Sequence, residues 1–207
     1  MFAISVIICT RNPREDYFRR VMDALRAQTL PKDEWELLLL GVPVNGPFDL
    51  TWHPNVRHVP EEGIGLALAR MAGIAASNSE LLVFVDDDNV LRSDYLENSL
   101  KISSDHPFLG AWGGSCVPEF EIEPPAELRP FLAGLLVEKR TTSVWENIPR
   151  AGDALPPGAG MVVRKKLGLY YREQALHHPL RNSLGPHNKP PRGADDSDFR
   201  SFEGFGY

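Results

Sequence analysis

Asp86, Asp87 and Asp88 stand side by side directly after the run Leu81-Leu-Val-Phe-Val85, and this adjacency is the feature of the chain most suited to chemistry. The apolar run is rich in β-formers, short for a helix and right for a strand buried on both faces. Three like charges at the end of such a strand repel one another and resist desolvation, so a cation is expected among them. A divalent ion with oxygen ligands suits that description. A solvated acidic turn would need no ligand at all. Position favours the ligand-binding reading, because open α/β sheets hold ligands beyond the carboxyl ends of their strands.

Other residues that could do chemistry are scattered along the chain. Thr10, Arg11 and Asn12 end the first apolar run, and Arg70 is the one charged side chain in an Ala-rich helix over 66–77. On the residues alone, Arg70 reads equally as a solvated surface arginine or as a functional one. Asp195 and Asp196 open a short capped helix in which Phe199 and Phe202 face inward. An acidic helix N-terminus is ordinarily explained by the helix dipole. His177, His178 and His187 fall in a Pro/Asn/His-rich stretch over 177–192 and read as loose surface histidines.

The elements that must carry these residues follow from periodicity. Residues 3–10 form a β-branched run, most simply a central parallel strand. Asn12 as N-cap, Pro13 in the first turn and Glu15 three residues after Asn12 predict a capping box. The helix that follows puts Phe18, Val21, Met22 and Leu25 on one face. Trp35 to Leu40 is a second buried strand, giving β–α–β with a right-handed crossover. Residues 56–60 suit a short edge strand, and Ser93-Asp94 caps a helix to about Ile102. Residues 108–112 and 158–164 read as strands, with Gly113-Gly114 allowing a close backbone approach. Between Pro118 and Pro157 lies an excursion containing an apolar helix from Glu127 to about Val137; a further helix covers 165–174.

The totals bound the class. The chain of 207 residues suits one domain, and 43% hydrophobic residues can supply a core. A net charge of −6 argues against nucleic-acid binding. Cys9 and Cys116, far apart in apolar surroundings, read as small buried residues rather than a disulfide or a zinc site. No apolar run approaches the roughly 20 residues of a membrane span, and no secretory signal is visible. The expected location is cytoplasmic, at most peripheral at the inner face of a membrane.

Several segments in order resemble the family 2 glycosyltransferases of the GT-A fold. Ser5-Val-Ile-Ile-Cys-Thr-Arg-Asn12 is similar to the opening strand and turn of that family, and Gly65-Leu-Ala-Leu-Ala-Arg70 to its glycine-started helix. Phe84-Val-Asp-Asp-Asp88 resembles the DxD motif, Gly113-Gly114 the paired glycines, and Pro157 to Arg164 the acceptor-side segment. Ala194-Asp-Asp-Ser-Asp-Phe199 resembles the segment that carries the catalytic base.

The resemblance implies an α/β fold, a GT-A-like, Rossmann-like mixed sheet with helices on both faces. Residues 1–114 would be the nucleotide-sugar-binding half and 115–207 the acceptor-side half of a single domain. It implies transfer of a sugar from a nucleotide-diphosphate sugar to a hydroxyl of a saccharide or lipid-linked acceptor, with inversion and with Mn²⁺ or Mg²⁺. Asp88, with Asp86, would hold the metal. Thr10, Arg11, Asn12, Arg70, Asp86 and Asp87 would bind the nucleotide-sugar, Asp196 would be the general base and Asp195 its neighbour. Leu40-Gly41-Val42 stands where the family usually has a base-reading Asp, and Asp195 where it has Glu. Relatives also continue past the point matching Tyr207 through another strand, often with a histidine that completes the metal site. The alternative expectation is therefore a degenerate member that keeps the fold, and binds nucleotide or a partner, without catalysis.

Overall fold

The computed structural model describes residues 1–44, 46–60, 65–128, 131, 142–147, 154 and 156–177. In chain order the elements are β1 (Phe2–Cys9), α1 (Glu15–Arg26), β2 (Trp35–Leu40), β3 (Val56–Val59), α2 (Leu66–Ala76), β4 (Ser79–Phe84), α3 (Tyr95–Asp105), β5 (Ala111–Trp112), β6 (Val162–Arg164) and α4 (Lys165–His177). Six strands form one sheet in the order β3-β2-β1-β4-β6-β5. The first four strands in that order run parallel, whereas β6 is antiparallel to both β4 and β5. The mixed sheet agrees with the expected fold class, and β1–α1–β2 is the parallel unit read from the sequence.

Side-chain alternation explains the layering. Ile4, Val6 and Ile8 of β1, Leu37 and Leu39 of β2 and Leu81 and Val83 of β4 face α1 and α3, meeting Phe18, Val21, Leu25 and Leu96. Ile7, Leu38, Leu40, Leu82 and Phe84 face the other way and meet Ala69 and Ile74 of α2 and Tyr171 and Ala175 of α4. Strands covered on both faces need no polar alternation, which is why β2 reads Trp-Glu-Leu-Leu-Leu-Leu and is buried throughout. Each fully buried Leu, Ile or Phe contributes about 1.5–3 kcal/mol of transfer free energy.

One charged exception sits in that second layer. Glu36, fully buried, is opposite Ser5 in the β1–β2 register. Its Oε1 accepts from Ser5 Oγ (2.6 Å) and the Asn78 N–H (2.6 Å), and its Oε2 from Arg57 Nη2 (2.7 Å) and Asn78 Nδ2 (3.2 Å). Burial alone pushes the carboxyl up, but the bonds from Ser5, Arg57 and Asn78 outweigh it and hold Glu36 below its ordinary range. The network ties β1, β2 and β3 to the turn before β4 at the amino ends of the strands.

Two helix ends depart from the sequence reading. Asn12 is not the cap of α1: it adopts a left-handed φ of 52°, and the cap position is Arg14, whose side chain makes no capping bond. Asparagine tolerates that conformation, and here it bends the chain as it leaves β1. Glu15 pairs instead with Arg19 one turn on, at 2.6 Å. Asp94 does occupy the cap position of α3 but makes no capping bond, its carboxylate accepting instead from Arg92 Nη2 at 2.9 Å. Gln28, from beyond the end of α1, supplies the cap: Gln28 Oε1 accepts from the buried Leu96 N–H at 3.1 Å, and its Nε2 donates to Arg92 O at 2.7 Å. At the other end of α3, Arg164 of β6 donates to Ser103 O in the last turn of the helix and to His106 O and Leu109 O just beyond it.

The strand expected over 108–112 is reduced to Ala111–Trp112, and α2 and α4 match their expected positions within a few residues. Of the helix expected from Glu127 to Val137 only residues 127, 128 and 131 are described, and neither it nor the stretch 178–207 beyond α4 is placed among the described residues. Cys9 and Cys116 are only partly buried, not the fully buried residues expected, with Cys9 packed against the second core cluster.

Candidate functional site

The acidic triplet lies at the carboxyl end of β4, in the middle of the sheet. Val85 N–H donates to Ile7 O at 3.0 Å, extending β4 beside β1 before the chain breaks away into Asp86. The strand is held there by a register that pairs Ile7 with Phe84 and buries Leu81 to Val85. The carboxylates therefore emerge at the rim where β1 and β2 also end.

Each carboxylate has a different partner. Asp86 Oδ1 accepts from Arg70 Nη2 at 3.2 Å, and Arg70, projecting from α2, is 3% exposed. Asp87 Oδ2 accepts a short hydrogen bond from Thr10 Oγ1, so the tip of β4 is fastened to the tip of β1. Asp88 is exposed, and its Oδ1 accepts from Asn89 Nδ2 at 2.7 Å. The cation that charge repulsion demanded is thus, in part, a protein side chain. Arg70 is not a solvated surface arginine; its guanidinium also lies 5.9 Å from the Phe84 ring.

The other flank of the tip is built from backbone. Gly160 N–H donates to Phe84 O (2.8 Å) and Phe84 N–H donates to Met161 O (2.9 Å), which seats the 158–160 turn beside the carboxylates. Gly160 has a φ of 77°, a conformation that glycine adopts without cost. Gly113 lies under Pro156, where a Cβ would stand 3.0 Å from the proline ring. Cys116 approaches from the same side, and burial together with the Asp86 carboxylate pushes its thiol up. Tyr95, the first residue of α3, lies beneath both glycine segments.

Of the residues singled out from the sequence, Thr10, Arg70, Asp86 and Asp87 are brought into contact, with Asp88 next to them. Arg11 and Asn12 sit exposed on the turn that follows Thr10. Asp195 and Asp196 lie outside the described residues. Tyr95, Cys116 and the 158–160 turn flank the tip as well. Tyr95 carried no signal, since in Asp94-Tyr95-Leu96 it looks like any first residue of a helix.

Hard carboxylate oxygens are the donors that Mg²⁺ or Mn²⁺ prefers. Among the described residues no three acidic, His or Cys side chains converge into a closed cage. The set nevertheless fits an ion held by one or two carboxylates and completed by phosphate oxygens, the usual arrangement for Mg²⁺ at a phosphate site. Among the described residues no helix is long and apolar enough to cross a membrane.

Comparison with known proteins bears out the family resemblance. Residues 48–143 match the sequence model described as Glycosyl transferase family 2, a span that contains Arg70 and the acidic triplet. The putative glycosyltransferase EpsH of Bacillus subtilis (strain 168) is 27% identical over 114 residues, covering 50% of this chain and 31% of that protein. The glucosyl-dolichyl phosphate glucuronosyltransferase of Haloferax volcanii is 26% identical over 132 residues, covering 59% of this chain and 41% of the relative. The chain thus spans less than half the length of these curated relatives. Among solved structures, residues 1–349 of S. aureus TarS superpose with a TM-score of 0.63 at 15% identity, covering 97% of this chain and 55% of that one. The mannosyltransferase PcManGT of Pyrobaculum calidifontis, in complex with GDP-Man and Mn²⁺, gives 0.56 at 23% identity, covering 94% and 49%. The fold is that of the GT-A glycosyltransferases.

Proposed function

We propose that this chain, a relative of the family 2 glycosyltransferases, transfers a sugar from a nucleotide-diphosphate sugar to an acceptor hydroxyl at the rim where β1 and β4 end. The observation that carries the reading is the division of labour in the acidic triplet. Thr10 and Arg70 hold Asp87 and Asp86 in place, while Asp88 stays exposed beside them. TarS has been solved with UDP-GlcNAc and PcManGT with GDP-Man and Mn²⁺, and both share this fold.

In this reading the nucleoside lies on the β1 side, against Thr10, Arg11 and Asn12, with Asp86 or Asp87 accepting from ribose hydroxyls. Asp88, with Asp86, would hold Mn²⁺ or Mg²⁺, which when bound offsets the charge of the departing diphosphate. The buried Arg70 holds Asp86 oriented toward that position. Asp196, beside Asp195, accepts the proton of the acceptor hydroxyl as its oxygen attacks the anomeric carbon. The bond from that carbon to the phosphate oxygen breaks, its electron pair leaves with the nucleoside diphosphate, and the configuration inverts. The acceptor is a saccharide or a lipid-linked sugar reached from the 115–207 half, with the protein cytoplasmic and at most peripheral to a membrane.

A second reading, a member of the fold that binds nucleotide or a partner without transfer, draws on one observation. Gly41 and the buried Val42 stand where a base-reading carboxylate would be. Thermal shift with UDP-GlcNAc and GDP-mannose, with and without Mn²⁺, separates the two from a chain with no donor site. Metal-dependent stabilisation that vanishes in Asp88→Ala supports the donor site, and no shift with either nucleotide-sugar contradicts it. Asp196→Asn is expected to abolish transfer while donor binding persists; loss of both together contradicts the base assignment.

A further inference from the structure

We propose that Tyr95 is a positioning residue whose hydroxyl sets the spacing of the two backbone segments, 113–116 and 158–160, that wall the sugar end of the donor site. This rests on the donor-site reading above and adds a residue to it. The Tyr95 hydroxyl donates to Gly160 O, and the backbone at Gly114 lies against the edge of the same ring. Gly160 N–H in turn donates to Phe84 O at 2.8 Å. Hydrogen bonds therefore run from the end of β4 through Gly160 to Tyr95, whose ring in turn packs against Gly114.

The packing is as specific as the bonding. A Cβ on Gly160 would stand 3.1 Å from the Tyr95 hydroxyl, and one on Gly114 would stand 3.4 Å from the ring. Gly160 approaches the phenol more closely than a side chain would comfortably allow, and Gly114 lies in van der Waals contact with the ring. Burial pushes the Tyr95 hydroxyl up to about 12, so it stays protonated and remains a donor to Gly160 throughout the physiological range. Its one proton is committed to a backbone carbonyl, which gives it a positioning role rather than a catalytic one.

Geometry says which part of the donor should feel it. The carboxylate tip has β1 on one side and the β6 approach on the other. With the nucleoside against Thr10 on the β1 side, the sugar meets the 113–116 and 158–160 segments. Loss of the hydroxyl should therefore weaken recognition of the sugar and leave recognition of the bare nucleotide intact.

The test is calorimetric binding of UDP, GDP, UDP-GlcNAc and GDP-mannose, each with Mn²⁺, to the wild type and to Tyr95→Phe. The expected result is a loss of about five- to tenfold for the sugar-bearing ligand that the wild type prefers, as for one lost hydrogen bond. The matching bare nucleotide should change by less than about twofold. Placing 4-aminophenylalanine at this position, which keeps a donor to Gly160, should restore most of the difference. Equal losses for bare and sugar-bearing nucleotide, or no loss for either, overturn the positioning role and leave the donor site standing. A wild type that binds none of the four overturns the donor site and this role with it. Should Tyr95→Phe fail to fold, the aminophenylalanine protein carries the comparison, and a tenfold loss there overturns the role.

Discussion

The guanidinium of Arg70 and the carboxylate of Asp86 meet at 3.2 Å across an asymmetric boundary, the arginine side chain 4% exposed and the aspartate 37%. The positive member of the pair is the one that water cannot reach. Removing the negative member takes a charge partner from a buried cation, whereas removing the exposed Asp88 takes none from it.

Asp86→Asn is accordingly expected to cost about 2 kcal/mol of folding stability, below the cost for a wholly buried pair because Asp86 is partly solvated. Asp88→Asn, at an exposed position, should stay within about 0.5 kcal/mol of the wild type. Urea unfolding at neutral pH measures both. Equal costs would mean that Arg70 has another sufficient partner.

Glu36 gives a pH dependence whose sign can be worked out. Its carboxyl is held below its ordinary range in the folded protein, so the unfolded chain binds the proton more readily. The resulting stabilisation is present above the unfolded carboxylate value, about 4.3, and is lost as pH falls toward the folded one. Glu36→Gln should be less stable at pH 7 yet lose less of its stability between about pH 5 and pH 3. Parallel acid-unfolding curves for the two proteins would remove Glu36 from the account of acid lability.

His53 titrates in the opposite setting. It is 4% exposed, its ring centroid 4.0 Å from that of Trp35, and its Nδ1 accepts from the Asn55 N–H at 3.1 Å. Burial, with Lys32 nearby, lowers it from 6.5 to about 4. Between those values the unfolded state carries the extra proton, so stability should fall as pH drops through that window. His53 Nε2 has no hydrogen-bond partner among the described residues. His53→Phe should therefore flatten the thermal-melting profile from pH 6.5 to 4 while keeping the ring stack.

Gly73 tests how closely α2 lies on the sheet. A Cβ there would stand 2.6 Å from Ile7 Cγ2, inside the second layer of the core. Alanine is the better helix former by about 1 kcal/mol, so an unpacked site would be stabilised by Gly73→Ala. The clash should win instead, with a net loss of about 1–3 kcal/mol seen in denaturant unfolding. A gain would show that α2 can lift from β1 without cost.

The sequence made the strands legible because they are buried on both faces. Runs such as 35–40 and 81–85 have no competing helical reading, and their order placed the acidic triplet at a sheet rim before any coordinate was known. Helix ends were less legible. Gln28 caps α3 from a distance of 68 residues along the chain, and no local pattern announces a cap supplied by another element. Arg70 was undecided for a related reason: an Ala-rich helix shows where a charge stands along the chain but not which way it faces. Tyr95 was invisible because its partners are backbone, the Gly160 carbonyl and the chain at Gly114, which a reading of side-chain types does not register. Asn12 misled because the same residue that caps helices also tolerates a left-handed turn.

The reversal of β6 within an otherwise parallel neighbourhood has a consequence for how such a protein could diversify. Because β5 runs with β4 and β6 runs against it, the chain leaves the sheet after Trp112 and re-enters it at Val162 on the same edge, the one that carries the carboxylates. The two strands flanking the intervening stretch thus meet it at adjacent positions, Trp112 and Val162, which pair with each other. Between the glycine segments at 113–116 and 158–160, the length of the stretch can therefore change without altering the register of any strand.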